Sequence, residues 1–365
     1  MITTINNKHK KLNVPNLRFP EFQGEWNSFL INDVCSEFKS GKNIKADSIF
    51  ESGEYPVYGG NGLRGYTSSY NHEGSYVLIG RQGALCGNVR SVYGKTYITE
   101  HAIAVAGNEK SNTDFLHYLF LKMNLGQYSD QSAQPGLAVN KLLKLKVALP
   151  IISEQTKIAK LLSLLDERIA TQNKIIEDLK MLKSAISENL FKAVKGDVVI
   201  LCEICEIIKG KQINGEFLSE KGKYYVMNGG TEPSGYYSDC NVEANTISIS
   251  EGGNSCGYVQ FNSSPFWSGG HCYTIQKLAE NVDNMYLYHY LKSKEDAIMK
   301  LRIGSGLPNI QKKDLAMFKI KLPNVEQQKS ISTFLSSLER KAEIEERIRN
   351  SILDEKRCLL HQMFI

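Results

Sequence analysis

The sequence predicts an α+β chain: two tandem globular α/β domains joined by two long helices that pack as an antiparallel, pseudo-twofold coiled coil. Three observations predict it. Residues 153–191 contain no proline or glycine, and Ile158, Leu162, Leu165, Ile169, Ile176, Leu179, Ile186 and Leu190 recur three and four apart, the period of an amphipathic helix. The last forty residues repeat the pattern 173 positions on: Leu149-Pro150 returns as Leu322-Pro323, Gln155 as Gln328 and Phe191 as Phe364. A stretch preceding each helix is also duplicated, 170 positions apart from Gly59 to Leu137.

Taken in order, residues 1–16 form a polar arm with a basic cluster, Lys8, His9, Lys10 and Lys11, of the kind that stays loose unless tied down. Residues 17–150 form the first domain, rich in glycine, tyrosine and short β-branched segments such as Tyr76–Ile79 and Tyr97–Val105, the composition of strands joined by turns. One helix is predicted over Thr113–Met123, capped by Asn112 or Thr113, with Phe115, Leu116, Leu119 and Phe120 on one face. Residues 151–195 are the central spacer helix. Glu167, Lys174, Glu177, Lys180, Lys183 and Glu188 fall mostly off its apolar stripe, and Lys160, Arg168, Lys180 and Lys183 mark its outer face.

Residues 196–323 form the second domain, with a counterpart helix over Asp283–Leu291. At the constant offset Gly59-Gly60 matches Gly229-Gly230, Gly65-Tyr66 matches Gly235-Tyr236, and Cys86-Gly87 matches Cys256-Gly257. His101, Tyr118 and Gly136-Leu137 match His271, Tyr288 and Gly306-Leu307. Residues 324–365 are the second spacer helix, with Ile331, Leu335, Leu338, Ala342, Ile348, Ile352, Leu359 and Met363 on its stripe and Arg349 interrupting it. Each helix must return the chain to the far domain, so the pair is expected to be antiparallel. The equivalent polar residues Gln172 and Glu345 are expected to form a hydrogen-bonded layer that sets register.

At 365 residues each domain can bury its own core. The formal charge of +5 permits a polyanionic partner. There is no charged-then-apolar leader and no apolar run of membrane-spanning length, so a cytoplasmic protein without membrane contact is expected. The eight cysteines are scattered, and Cys202 and Cys205 have no second pair to complete a zinc site; no metal is expected.

Motifs for chemistry fail on context. Gly60-Asn61-Gly62-Leu63-Arg64-Gly65 satisfies the dinucleotide fingerprint, but Tyr66-Thr67-Ser68-Ser69-Tyr70 makes a poor helix, and the second copy has Glu232 for the middle glycine. Gly94-Lys95-Thr96 lacks the upstream glycine of a phosphate-binding loop. His101 and His271 have no metal-ligand neighbours at helical or turn spacing, and neither a G-x-S-x-G elbow nor H-E-x-x-H occurs. Amino-methyltransferases grip their target with a Pro-Pro-aromatic segment, and no Pro-Pro occurs. Glu154-Gln155-Thr156-Lys157 ends like a nuclease motif but opens a helix, where an early glutamate answers the helix dipole. No catalytic residue is predicted, and the chain is not expected to be an enzyme by itself.

The duplication keeps its glycines and varies what stands between them. Arg64 becomes Ser234, Arg81 becomes Glu251, Gln82 becomes Gly252 and Asn88 becomes Tyr258, while Gly83, Cys86 and Gly87 return as Gly253, Cys256 and Gly257. Arginine forks onto guanine, Asn or Gln onto adenine, and glutamate accepts from cytosine. Candidate base readers are therefore Asn61, Arg64, Tyr66, Arg81, Gln82 and Asn88 in the first copy, and Asn228, Thr231, Ser234, Tyr236, Glu251 and Asn254 in the second. Candidate phosphate contacts are Lys42, Lys141, Lys144, Lys211, Lys312 and Lys313, cations that fix register without reading sequence.

Leu17-Arg18-Phe19-Pro20-Glu21-Phe22 followed by Trp26, a Tyr-x-Val segment with a double glycine, Leu-Pro with a nearby Glu-Gln before each long helix, and the duplication itself occur together. On these the chain resembles the specificity subunit of a type I restriction-modification enzyme over essentially its whole length. The second copy departs at Ser250, where the first has Gly80. The resemblance implies a non-catalytic subunit with two target-recognition domains, each reading one half of an asymmetric bipartite target in double-stranded DNA. The helices would act as spacer and docking site. It implies no cofactor in this chain: S-adenosylmethionine belongs to two copies of a modification (methyltransferase) subunit, and ATP and Mg to the partner machinery that includes restriction (translocase/nuclease) subunits. The alternative is an orphan DNA-binding or scaffold protein without an enzyme complex.

Overall fold

The computed structural model describes residues 13–130, 136–304, 306 and 308–365, so the basic cluster at 8–11, and Leu307, lie outside the described residues. The chain divides into two units, residues up to Thr171 with Ile348–Ile365, and Gln172–Arg347. Each unit holds one domain and a stretch of both long helices.

In the first unit, β1 (Asn27–Leu30) leads through the short helix α1 (Ile31–Val34) into β2 (Cys35–Ser40). There follow β3 (Tyr55–Gly59), β4 (Gly62–Thr67), β5 (His72–Gly80), β6 (Val89–Ile98) and β7 (Ala102–Gly107). These six strands form one sheet in the order β2-β7-β5-β6-β3-β4, antiparallel except for β3 against β6. The predicted segment Tyr97–Val105 is two strands, because a turn at Thr99–His101 parts β6 from β7. Side chains alternate across the sheet. Val77, Ile79, Val89, Ile103 and Val105 face Phe115, Leu116, Leu119 and Phe120 of α2 (Thr113–Met123), while Leu78, Val92, Ile98, Ala102 and Ala104 form a second cluster with Tyr58 and Tyr76. Asn112 caps α2, accepting from the Phe115 amide at 2.9 Å. After the short helix α3 (Val139–Leu142), β8 (Lys146–Leu149) pairs with β1 and delivers the chain to α4 (Ile152–Ala193).

The second unit rebuilds this plan with β9 (Asp197–Ile200), α5 (Leu201–Ile204), β10 (Glu206–Lys209), β11 (Tyr224–Met227), β12 (Tyr236–Tyr237) and β13 (Thr246–Ser250). It continues through β14 (Val259–Asn262), β15 (Trp267–Ser268), β16 (Cys272–Gln276), α6 (Asn284–Ser293), α7 (Glu295–Met299), α8 (Lys312–Ala316), β17 (Lys319–Leu322) and α9 (Val325–Gln362). Here the single sheet becomes two, β10-β16-β13-β14 and β12-β11-β15. The cause is local: the long β6 is replaced by β14 and β15, and Pro265 stands between them, where a residue without an N–H cannot continue the ladder.

The constant offset is corrected by the hydrogen bonds. Leu137 donates its amide to the Arg81 carbonyl and Ile310 to that of Glu251, both near 2.9 Å, so the counterpart of Leu137 is Ile310 rather than Leu307. A Cβ placed on Gly60 would lie 2.7 Å from the His101 carbonyl, and one on Gly229 3.0 Å from that of His271; Gly60 therefore stands where Gly229 does. The caps Asn112 and Asp283 are 171 apart. Loops that differ by one or two residues move the offset without moving the strands.

Along α4, residues 158, 162, 165, 169, 172, 176, 179, 183, 186 and 190 advance by four and three in alternation, and 331, 335, 338, 342, 345, 349, 352, 356, 359 and 363 do so along α9. That heptad seam carries the packing between the two helices. In the second unit Gln172 bonds Glu345 and Lys183 meets Glu339 at 2.7 Å; the partner number falls as the α4 number rises, so the helices there are antiparallel. The expected Gln172–Glu345 layer is present, with Gln172 buried. Two placements change. Ile348 is 38% exposed, so the seam passes through Arg349 instead, and Lys183 lies on the seam rather than the outer face. Lys180 is exposed but paired to Glu346 at 2.6 Å.

Candidate nucleic-acid interface

The loop between β5 and β6 and the loop between β13 and β14 share one backbone pattern. In the first, Gly80 donates to Asn88, Gly87 to Gly80, Cys86 to Gly83 and Asn88 to Leu85; in the second, Ser250 donates to Tyr258, Gly257 to Ser250, Cys256 to Gly253 and Tyr258 to Ser255. The cysteine thiols complete it, with Sγ 3.3 Å from the Arg81 carbonyl oxygen and 3.0 Å from that of Glu251. Burial pushes both thiols above their ordinary pKa, so they brace the loop as neutral donors.

In the first domain this loop meets the β3–β4 hairpin tip. A Cβ on Gly60 would stand 3.6 Å from the Arg81 amide nitrogen, and one on Gly59 2.8 Å from Cδ of Arg64. Asn61, Arg64 and Gln82 are exposed and Arg81 half-buried; the fold brings these four predicted readers together. Gln82 Oε1 lies 3.3 Å from His101 Nδ1. Tyr66 exchanges backbone bonds with Phe50 at 2.8 and 2.9 Å and is half-buried. Asn88 does not join them: with Asp114, His117, Lys160 and Asp166 it lines a groove of about 790 Å³ that Arg90 also borders. One neighbour of the tip was missed. The guanidinium of Arg90 lies over Gly62, whose Cβ would be 3.1 Å from its Cζ. The signal available was parity, since alternation with Val89 turns Arg90 to the sheet face opposite α2.

The second domain departs at two predicted readers. Glu251 is only 8% exposed, and its Oε1 accepts from Lys209 at 2.7 Å and from the Tyr273 hydroxyl at 3.0 Å. A buried acid with these partners is a strut, not an acceptor for a base. Asn228 accepts from the His271 amide at 3.1 Å through Oδ1 and is likewise spent on holding a turn. Thr231, Ser234 and Asn254 are exposed, and Tyr236 is half-buried in an exchange with Ser219.

The lysines divide in the same way. Lys42 and Lys211 are exposed and identically mounted: the Lys42 amide donates to Ile98 at 3.0 Å and the Lys211 amide to Ser268 at 2.9 Å. Lys144, Lys312 and Lys313 are exposed, and Lys141 is paired to Asp130 at 2.7 Å.

Each domain is fixed to its helices by the same triad. The Tyr118 hydroxyl donates to Asp166 at 2.8 Å and Lys356 reaches the same carboxylate at 2.5 Å; Tyr288 and Lys183 do so to Glu339 at 3.3 and 2.7 Å. Beside the triads, burial with a nearby lysine lowers His117 and His289 to about 4, so both are neutral at pH 7. Among the described residues no three His, Cys, Asp or Glu side chains are grouped to hold a metal ion, and no helix is long and apolar enough to cross a membrane. What the exposed loops offer is hydrogen bonding and positive charge.

Residues 23–181 and 194–354 each match the type I restriction modification DNA specificity domain. The chain belongs to that family. It is a specificity subunit with two tandem copies of the domain. The specificity subunit of the EcoprrI enzyme of Escherichia coli is 40% identical over 177 residues, which span 47% of this chain and 43% of that protein. A putative specificity subunit of Haemophilus influenzae, S.HindORF215P, is 22% identical over 86% of this subunit and 87% of its own length. The crystal structure of a type I S subunit from M. genitalium covers 96% of this subunit and 99% of that chain with a TM-score of 0.75 at 20% identity, a likeness of fold.

Proposed function

We propose that this specificity subunit binds double-stranded DNA and reads an asymmetric bipartite target. Domain 17–150 takes one half-site and domain 196–323 the other. The observation that carries the reading is the pair of equivalent loops, alike in backbone and unlike in side chains. Arg64, Arg81, Asn61 and Gln82 read the first half-site; Thr231, Ser234 and Asn254 read the second. Lys42 and Lys211 hold phosphates from equivalent mounts, with Lys144, Lys312 and Lys313 adding charge. The subunit directs two copies of a modification subunit, which carry S-adenosylmethionine, and restriction subunits that work with ATP and Mg, in the cytoplasm.

The helices set the unread spacer. At 42 residues α4 is about 63 Å long, enough to bridge groove openings about 34 Å apart. Co-expression with a candidate methyltransferase, gel filtration of the complex and mapping of methylated adenines test the whole reading. Co-elution and two unlike half-sites are expected. A palindromic target, or a chain that elutes alone, counts against it. Inserting one heptad into each helix lengthens the recognised spacer by about 3 base pairs; an unchanged spacer removes the ruler.

A further inference from the structure

We infer that Arg90 is a specificity-determining residue of the first domain, completing with Arg64 and Arg81 a three-guanidinium head that reads guanine and has no counterpart in the second domain. The inference rests on the DNA-reading proposal above and goes on to name the base class.

Three contacts bring the Arg64 stem, the Arg81 backbone and the Arg90 guanidinium to one short hairpin tip. The Arg64 stem lies against Gly59, the Arg81 amide against Gly60, and the Arg90 guanidinium against Gly62, where an added Cβ would be 3.1 Å from Cζ and Nη2 and 3.4 Å from Nε. Gly62 has φ of 106°, a conformation that favours glycine, and its bare Cα leaves the room the guanidinium occupies. None of the three guanidiniums meets a carboxylate among the described residues. Glu100, beside the tip, turns its Oε1 to His101 Nε2 at 3.2 Å instead. A structural arginine is held by acceptors; three uncompensated ones, two of them exposed, await an anionic, acceptor-rich partner. Guanine presents O6 and N7 to such a fork.

The second domain has removed the same charges one by one. Arg64 is Ser234, Arg81 is the buried Glu251 neutralised by Lys209, and Arg90 is Gln260. Between Gly60, which stands where Gly229 does, and Gly65, which matches Gly235, the second copy has one residue more and holds Gly230, Thr231, Glu232, Pro233 and Ser234, so the second tip is neutral to acidic. One half-site is therefore expected to be guanine-containing, and the other not to depend on arginine at these positions.

The test is selection of duplexes with a randomised region by the full-length chain, wild type against Arg90→Gln and Arg90→Lys. Wild type is expected to enrich a bipartite sequence with guanines in one half. Both variants then lose about 5- to 150-fold discrimination at one guanine of that half, with the other half unchanged. Lysine keeps the charge but not the fork, so Arg90→Lys retains binding to random duplex. Gly62→Ala, which displaces the guanidinium, reproduces the loss at the same base; melting curves separate this from unfolding. The inference is overturned if either variant keeps wild-type discrimination, or if affinity falls equally on all duplexes, as for a phosphate contact. A wild-type chain that enriches no sequence overturns the DNA-reading proposal itself.

Discussion

The loop after β5 and the loop after β13 share their backbone hydrogen bonds and differ in their central charge. One presents Arg81 at a hairpin tip; the other folds Glu251 inward onto Lys209 and Tyr273. The same frame thus tolerates a half-buried arginine and a buried, paired glutamate, because the loop is held by glycine conformations, a thiol and backbone bonds rather than by the side chain at its first position. The loop's side chains can change in this fold without disturbing what positions them. One chain can carry two loops of the same backbone with unlike side chains for that reason.

The largest expected difference between the units lies where the first one gathers both ends of the described chain. Arg18 donates to both oxygens of Glu154, at 2.8 and 2.7 Å, and the Glu154 side chain is fully buried; the Leu17 amide reaches the Gln362 carbonyl at 2.9 Å. At the equivalent place the second unit has Gln327, which is exposed. Arg18→Ala leaves a buried carboxylate unpaired and is expected to destabilise by about 3–5 kcal/mol, whereas Gln327→Ala stays within about 0.5 kcal/mol. Denaturant titration of each variant checks the contrast. Equal small effects would mean that the first unit does not lean on this pair.

A smaller contrast is built into the loops. A Cβ on Gly87 would overlap the backbone of Gly126, while one on Gly257 would stand 2.8 Å from the flexible Met299 Cγ and 2.9 Å from its Cα. Both glycines have φ near 90°, 86° and 91°, so alanine is strained at either. Gly87→Ala should cost about 3 kcal/mol and Gly257→Ala about 2 kcal/mol, the difference being how far the neighbour can yield. The reverse order in thermal melting would show that the first domain's closer approach is soft.

Much of this was legible in the sequence, and the illegible part has physical reasons. The heptad spacing, the Asn112 cap and the duplicated glycines are local signals, and the helices and turn backbones follow from them. The direction of a side chain is not local. Glu251 reads like an exposed loop residue until Tyr273 and Lys209, far along the chain, are seen to enclose it. Arg90 lies one residue inside a strand and carries no turn motif, and only the fold brings Gly62 beneath it. Lys183 looked like an outer-face cation because Glu339, its partner, comes from the other helix. An ungapped comparison also misplaced Leu137, since loops between the strands differ in length.

The last contrast concerns pH, where the units are expected to behave alike. His117 and His289 sit beside the two triads with pKa values lowered to about 4, chiefly by burial and then by Lys356 and Lys183. Unfolded, each titrates near 6.5. Between these values the unfolded chain binds more protons, so stability is full above about pH 6.5 and falls as pH drops toward 4. A loss of about 1.5 kcal/mol per histidine between pH 6.5 and 5 is expected. The sites are not identical: His289 Nε2 lies 2.9 Å from Ser336 Oγ, whereas His117 Nδ1 is buried with no partner among the described residues. His117→Gln and His289→Gln should each flatten half of the pH dependence. If only one of them does, the triads that fix the two domains to their helices differ in solvent access despite their shared geometry.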